Sequence, residues 1–128
     1  MVLLDTNIFI YLAKGILSID SILDTDIAHA SITKIEALGF PTIPANELLL
    51  LTSLFEESTE LPISDQIINQ AIKLRQAKRM SLGDAIIAAT ALKEGLELWT
   101  ANLDDFVHVE NLQVRNPLKN FDEDSLSL

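Results

Sequence analysis

Short apolar runs that hand the chain straight to a helix recur from one end of this sequence to the other, and that alternation limits the folds open to it. Val2-Leu3-Leu4 reads as a buried strand, and Asp5-Thr6-Asn7 then offers helix-capping residues before Ile8 to Leu12. A piece around Ile16 to Leu23 is weakly amphipathic, and the alternation from Ile27 to Ile32 predicts a second strand. A helix over Thr33 to Leu38 follows, stopped near Gly39-Phe40-Pro41. Ala45 to Glu57 is a further helix, and Leu61-Pro62-Ile63 reads as an edge strand, where proline is tolerated. Ser64 or Asp65 can cap a helix that carries Ile67, Ile68, Ala71, Ile72 and Leu74 at helical spacing and ends near Met80.

From about Asp84 to Glu94 the sequence is apolar nearly all round and rich in alanine, which predicts a buried, closely packed helix ended by Gly95. Leu96 to Thr100 is a strand, and Val107 and Leu112 to Val114 suggest brief ones. Strands that alternate with helices favour an α/β fold with a parallel β-sheet flanked by helices on both faces.

The length of 128 residues suits one domain, and 48% hydrophobic residues suffice for its core. No apolar run approaches the roughly eighteen positions of a membrane span. The opening residues have no basic segment and no small-residue cleavage site, so a signal peptide is not expected. The absence of cysteine removes disulfides, thiolate metal sites and cysteine nucleophiles, and fits a reducing cytoplasm. A formal net charge of −10 argues against a broad basic surface for nucleic acid. The cations are unevenly spread, however: Lys73, Arg75, Lys78 and Arg79 fall in one predicted helix, where they either touch phosphate or form a solvated face.

Chemistry is carried by acids at strand exits and helix starts, where sites form in open α/β sheets. Each also has a plainer reading. Asp5 is placed to be a helix cap, Thr33 and Glu36 have capping-box spacing, and so do Ser81 and Asp84. Asp104 and Asp105 sit in a loop where acids are common. Gathered at one end of a sheet, four carboxylates would raise one another's pKa values unless a cation lay among them. Oxygen-only ligands select a hard ion, Mg²⁺ or Mn²⁺, which can activate water against a phosphodiester with no side-chain nucleophile. His29 and His108 are expected to be structural or exposed.

Four segments carry a resemblance: Leu3 to Ile10, Ser31 to Gly39, Gly83 to Ala91, and Thr100 to Phe106. In this order and spacing they resemble the PIN domain, and most of all the VapC toxins of bacterial and archaeal toxin–antitoxin pairs. The likeness covers nearly the whole chain and implies a PIN-like nuclease domain over residues 1–119, with an acidic tail at 120–128. It implies a Mg²⁺- or Mn²⁺-dependent endoribonuclease that cuts RNA, works in the cytoplasm, forms a homodimer and is silenced by a VapB-type antitoxin. Asp5, Glu36 and Asp84 match the family's metal-site acids, and Asn7, Thr100 and Asn102 its polar support positions. Where many relatives have aspartate two residues after the Thr100 position, this chain has Asn102; the fourth acid is then Asp105, or alternatively Asp104. Gly83 stands where many relatives have proline, an exchange expected to loosen the turn before Asp84.

Leu48 to Leu51 sweep most of a helix circumference, so some must face outward, either under another part of the domain or at an interface. An apolar groove there would suit an antitoxin, whose basic side chains could compete for the acids. Two alternatives stand beside the toxin reading: a catalytically weak PIN-fold binding module, and a stand-alone PIN nuclease without an antitoxin. A phosphatase with Asp5 as nucleophile is disfavoured, since Asn7 occupies the place of its usual second acid.

Overall fold

The computed structural model describes residues 1–118; the acidic tail containing Asp122, Glu123 and Asp124 lies outside them. The described chain runs β1 (Val2–Leu4), α1 (Thr6–Lys14), a 3-10 turn (Ile19–Ile22), β2 (Ile27–Ala30), α2 (Ser31–Leu38), α3 (Ala45–Glu57) and β3 (Thr59–Leu61). It continues with α4 (Asp65–Ala77), α5 (Leu82–Glu94), β4 (Glu97–Trp99), a second 3-10 turn (Leu103–Asp105) and β5 (Val114–Arg115). The strands form one five-stranded sheet in the order β3-β2-β1-β4-β5, and every neighbouring pair is parallel.

Successive strand residues point to opposite faces, and that period of two sorts the core into two layers. Leu3, Ala28, Ala30 and Leu98 go to one face, where they meet Ile67 and Ala71 of α4 and Ala85, Ala88 and Ala89 of α5. Leu4, Ile27 and Trp99 go to the other, against Ile8, Phe9 and Leu12 of α1 and Leu51, Leu54 and Phe55 of α3. Helices therefore cover both faces, as a parallel sheet requires. The alanine stretch of α5 is buried on all sides, its small side chains letting it lie close to the sheet and to α4.

Several element boundaries differ from expectation. β2 stops at Ala30 and all of its residues are buried, so the apparent alternation there reflects no exposed face. Helix α2 begins two residues before Thr33, with Ala30 at its cap position and no side chain closing it. The edge strand is Thr59–Leu61, just before Pro62, which supplies no N–H for pairing. Helix α4 ends at Ala77, so Lys73 and Arg75 lie on it while Lys78 is its cap and Arg79 lies beyond. Val107 belongs to a turn, and the last strand is displaced to Val114–Arg115.

His29 is buried against the rings of Phe9 and Phe55, with Nδ1 2.7 Å from Ser58 Oγ and Nε2 3.4 Å from Glu60 Oε1. It braces β2 to β3. His108 is half-buried, and its ring nitrogens have no hydrogen-bond partner among the described residues.

Candidate metal centre

The chain steps from β1 outward through β2 to β3, then returns to lay β4 on the opposite side of β1. This reversal makes the carboxyl ends of β1 and β4 the switch point of the sheet, the place outside which open α/β sheets hold their ligands. Asp5 leaves β1 there and Thr100 leaves β4, and the two loops are tied by the bond from Asp5 N–H to the Trp99 carbonyl at 2.9 Å.

Asp5 is the buried centre of the cluster, only 5% exposed. Its Oδ1 accepts from the Thr6 backbone N–H at 2.8 Å, so it does cap α1. Its Oδ2 faces the other way and accepts from the Thr100 hydroxyl at 2.8 Å and from Asn7 Nδ2 at 3.4 Å. Asn7 is oriented in turn, its Oδ1 accepting from the Ala101 N–H at 3.2 Å. What Asn102 gives to this network is its backbone N–H, which donates to Thr100 Oγ1 at 3.0 Å. Capping and site-building are thus performed by one side chain with two oxygens.

Glu36 does not close a capping box with Thr33, because Thr33 sits inside α2 rather than at its start. Its Oε1 accepts instead from the Thr6 hydroxyl at 2.7 Å, across thirty residues of sequence, and Thr6 Oγ1 also lies 3.3 Å from the buried Thr33 Oγ1. The other face of the Glu36 carboxylate rests on Gly83: a Cβ at that glycine would stand 2.7 Å from Oε2. Gly83 is therefore packed beneath a carboxylate inside the first turn of α5, and does not serve to loosen a turn. Asp84 follows it, with its N–H donating to Ser81 Oγ at 3.1 Å. Asp105 sits in the 3-10 turn after β4 beside a cleft that Ala101, Asn102, Leu103, Asp104 and Asn116 also line.

The acids feel one another. Burial pushes the Asp5 carboxyl up to about 6 against the hydrogen bonds from Thr100 and Thr6, and the charges of Asp84 and Glu36 add to the rise. Asp84 is raised too, first by burial and then by the charges of Asp105 and Glu36, while Ser81 lowers it. Glu36 and Asp84 thus act on Asp5, while Asp105 acts on Asp84. Asp104 is exposed in the same turn and is not among the acids acting on Asp5 or Asp84.

Among the described residues no group of three or more His, Asp or Glu side chains stands close enough to hold an ion in common. The donor set still fits a hard cation. Mg²⁺ loses its water reluctantly and is usually bound through one or two carboxylates, with water bridging to the rest. A buried acid whose carboxyl resists ionisation is also a site whose charge a cation would neutralise. Thr6, whose hydroxyl binds Glu36, is not among the residues the sequence singles out, although a hydroxyl beside the first aspartate is the available signal.

The family model of the PIN domain matches residues 2–112. A toxin–antitoxin complex from Klebsiella pneumoniae contains a chain with 29% identity and a TM-score of 0.75, the match covering 91% of this chain and 98% of that one. VapBC-1 from nontypeable Haemophilus influenzae matches at 25% identity and a TM-score of 0.74, with the same coverages of 91% and 98%. VapBC2 from Rickettsia felis, bound to a DNA fragment from its promoter, shares the fold at 21% identity and a TM-score of 0.76 over 91% of this chain and 98% of that one. The comparison with curated proteins finds no match.

Proposed function

The chain belongs to the PIN domain family, and on that premise we propose that it is a VapC-type toxin: a Mg²⁺- or Mn²⁺-dependent endoribonuclease silenced by a VapB-type antitoxin in the cytoplasm. The observation that carries this reading is the buried Asp5 carboxylate at the switch point of the sheet, which feels the charges of Glu36 and Asp84 from two distant segments, with Asp105 acting on Asp84 from a third. Residues 1–119 form the nuclease domain in this reading, and 120–128 its acidic tail.

Asp5, Glu36, Asp84 and Asp105 would hold the ion. When bound, Mg²⁺ or Mn²⁺ would offset the acids' charge and polarise water and phosphate oxygens for in-line displacement at an RNA phosphodiester. The chain's own work is to keep Asp5 ionised and aimed. Thr6 N–H and the Thr100 hydroxyl both donate to its carboxylate, and Asn7 is locked by Ala101 so that its amide also points there. Glu36 is fixed by the Thr6 hydroxyl, which donates to its Oε1.

An apolar groove between α1, α2 and α3 supports the antitoxin assignment. It is lined in part by Ile10, Ala37, Phe40 and Leu51, with Leu48, Leu49 and Leu50 exposed on α3. Similar chains occur in toxin–antitoxin complexes, and the homodimer is carried over from the family. Among the described residues no helix is long and apolar enough to cross a membrane.

A second reading, a PIN-fold binding module of weak activity, is favoured by the acids' failure to close into a ready-made chelate. Metal-dependent cleavage separates the two. The purified chain should cut RNA only with Mg²⁺ or Mn²⁺, and Asp84→Asn should slow it by about 100-fold or more, since metal-site charge is worth several kcal/mol. Undiminished cleavage by the variant would remove the toxin reading, and no Mn²⁺ binding at millimolar concentration would favour the module.

A further inference from the structure

Gly83 is a poor residue for its place in the chain. It lies within the first turn of α5, and its φ is not positive, so the backbone there would accept a side chain. Glycine inside a helix is the weakest choice short of proline. Neither helix formation nor a turn explains it.

The neighbouring element does. A Cβ at position 83 would stand 2.7 Å from Glu36 Oε2, 3.3 Å from Cδ and 3.4 Å from Oε1. The first separation is shorter than a carbon and an oxygen tolerate, so one of them would have to move. Glu36 is the end of a flexible side chain on α2, whereas position 83 is fixed by buried neighbours of α5. On the opposite side the Thr6 hydroxyl holds Oε1 at 2.7 Å, and Thr6 itself is anchored because its N–H bonds Asp5. The carboxylate is thus located from two directions, by a hydrogen bond and by the room left for it.

We infer that Gly83 is a positioning residue for Glu36: together with Thr6 it sets where that carboxylate stands beside Asp84, and a Cβ at 83 would displace it from the place it takes in this chain. The assignment rests on reading Glu36 as a metal-site acid. It makes the glycine a determinant of metal affinity that never touches the ion.

A double-mutant cycle on the full chain tests this, with Mn²⁺ alone as the probe and isothermal titration as the readout. Gly83→Ala should weaken Mn²⁺ binding about tenfold when Glu36 is present, the scale found when a supporting partner of a metal ligand is lost. In the Glu36→Ala background the same substitution should change it by less than about twofold, as for uncoupled sites. Thr6→Val should weaken binding and Thr6→Ser restore it. Equal fold-changes for Gly83→Ala in the two backgrounds would overturn the inference.

Should the unaltered chain bind no Mn²⁺, the metal reading fails by itself and the cycle is read by melting temperature in EDTA. There Gly83→Ala should raise Tm about 3 °C more in the Glu36→Ala background than in the unaltered one, for the clash is gone and the better helix former remains. Equal shifts would overturn the positioning role independently of any metal.

Discussion

Replacing Asp5 with asparagine should stabilise the metal-free protein while abolishing its response to metal. In an unfolded chain the Asp5 carboxyl titrates at its ordinary value of 3.8, and in the folded protein at about 6. The folded state binds this proton more tightly, so ionised Asp5 opposes folding above pH 6, and the opposition fades as pH falls from 6 towards 3.8. Two units of difference correspond to about 3 kcal/mol at pH 8 and to about half of that at pH 5.

Asparagine carries no charge, but its amide cannot accept on both sides. One orientation sets its NH₂ against the Thr6 N–H and the other against Asn7 and Thr100. Losing one such bond costs about 1–2 kcal/mol. Asp5→Asn should therefore gain about 1–2 kcal/mol at pH 8, or roughly 3–6 °C in Tm, and nothing by about pH 5. Urea unfolding in EDTA at several pH values measures this, and the difference between the two proteins cancels the opposing titration of His29, whose pKa burial lowers. Added Mn²⁺ should then raise the stability of the unaltered chain alone. A variant less stable at pH 8, or a difference that does not change between pH 5 and 8, would show that Asp5 does not carry an unneutralised buried charge.

Other outcomes follow from the packing and charge distribution. Ala88→Leu in α5, where the alanine is wholly buried, should cost about 1–3 kcal/mol in urea unfolding by overpacking the layer between helix and sheet. Lys78 and Arg79 lie between the end of α4 and the start of the segment holding Asp84. Changing both to alanine should weaken RNA binding and make its salt dependence shallower, by about one to two in the slope of log K against log salt. Unchanged affinity and slope would assign them to a solvated loop.

The alternation of short apolar runs with capping signals determined the α/β class, and the apolar alanine-rich stretch before Gly95 determined a buried helix, because both depend on local periodicity. The same local reading picked out Asp5, which does cap α1, and Asp84, which sits in the first turn of α5 with its N–H donating to the Ser81 cap. It could not place Glu36. The spacing from Thr33 mimicked a capping box, and only the position of α2 against α1 and α5 decided that this carboxylate turns to Thr6 and Gly83. The basic group was split for a similar reason: the helix end at Ala77 puts Lys78 and Arg79 in a connecting loop.

Sequence determines which residues can ionise, cap or pack, since those are properties of side chains and of their near neighbours. Tertiary structure alone decided that Asp5 would be desolvated, which oxygen Thr100 would reach, and that a missing side chain at Gly83 would hold open the space for an acid forty-seven residues earlier. Burial and close approach are set by the order in which parallel strands are laid beside β1, and no stretch of a few residues contains that order.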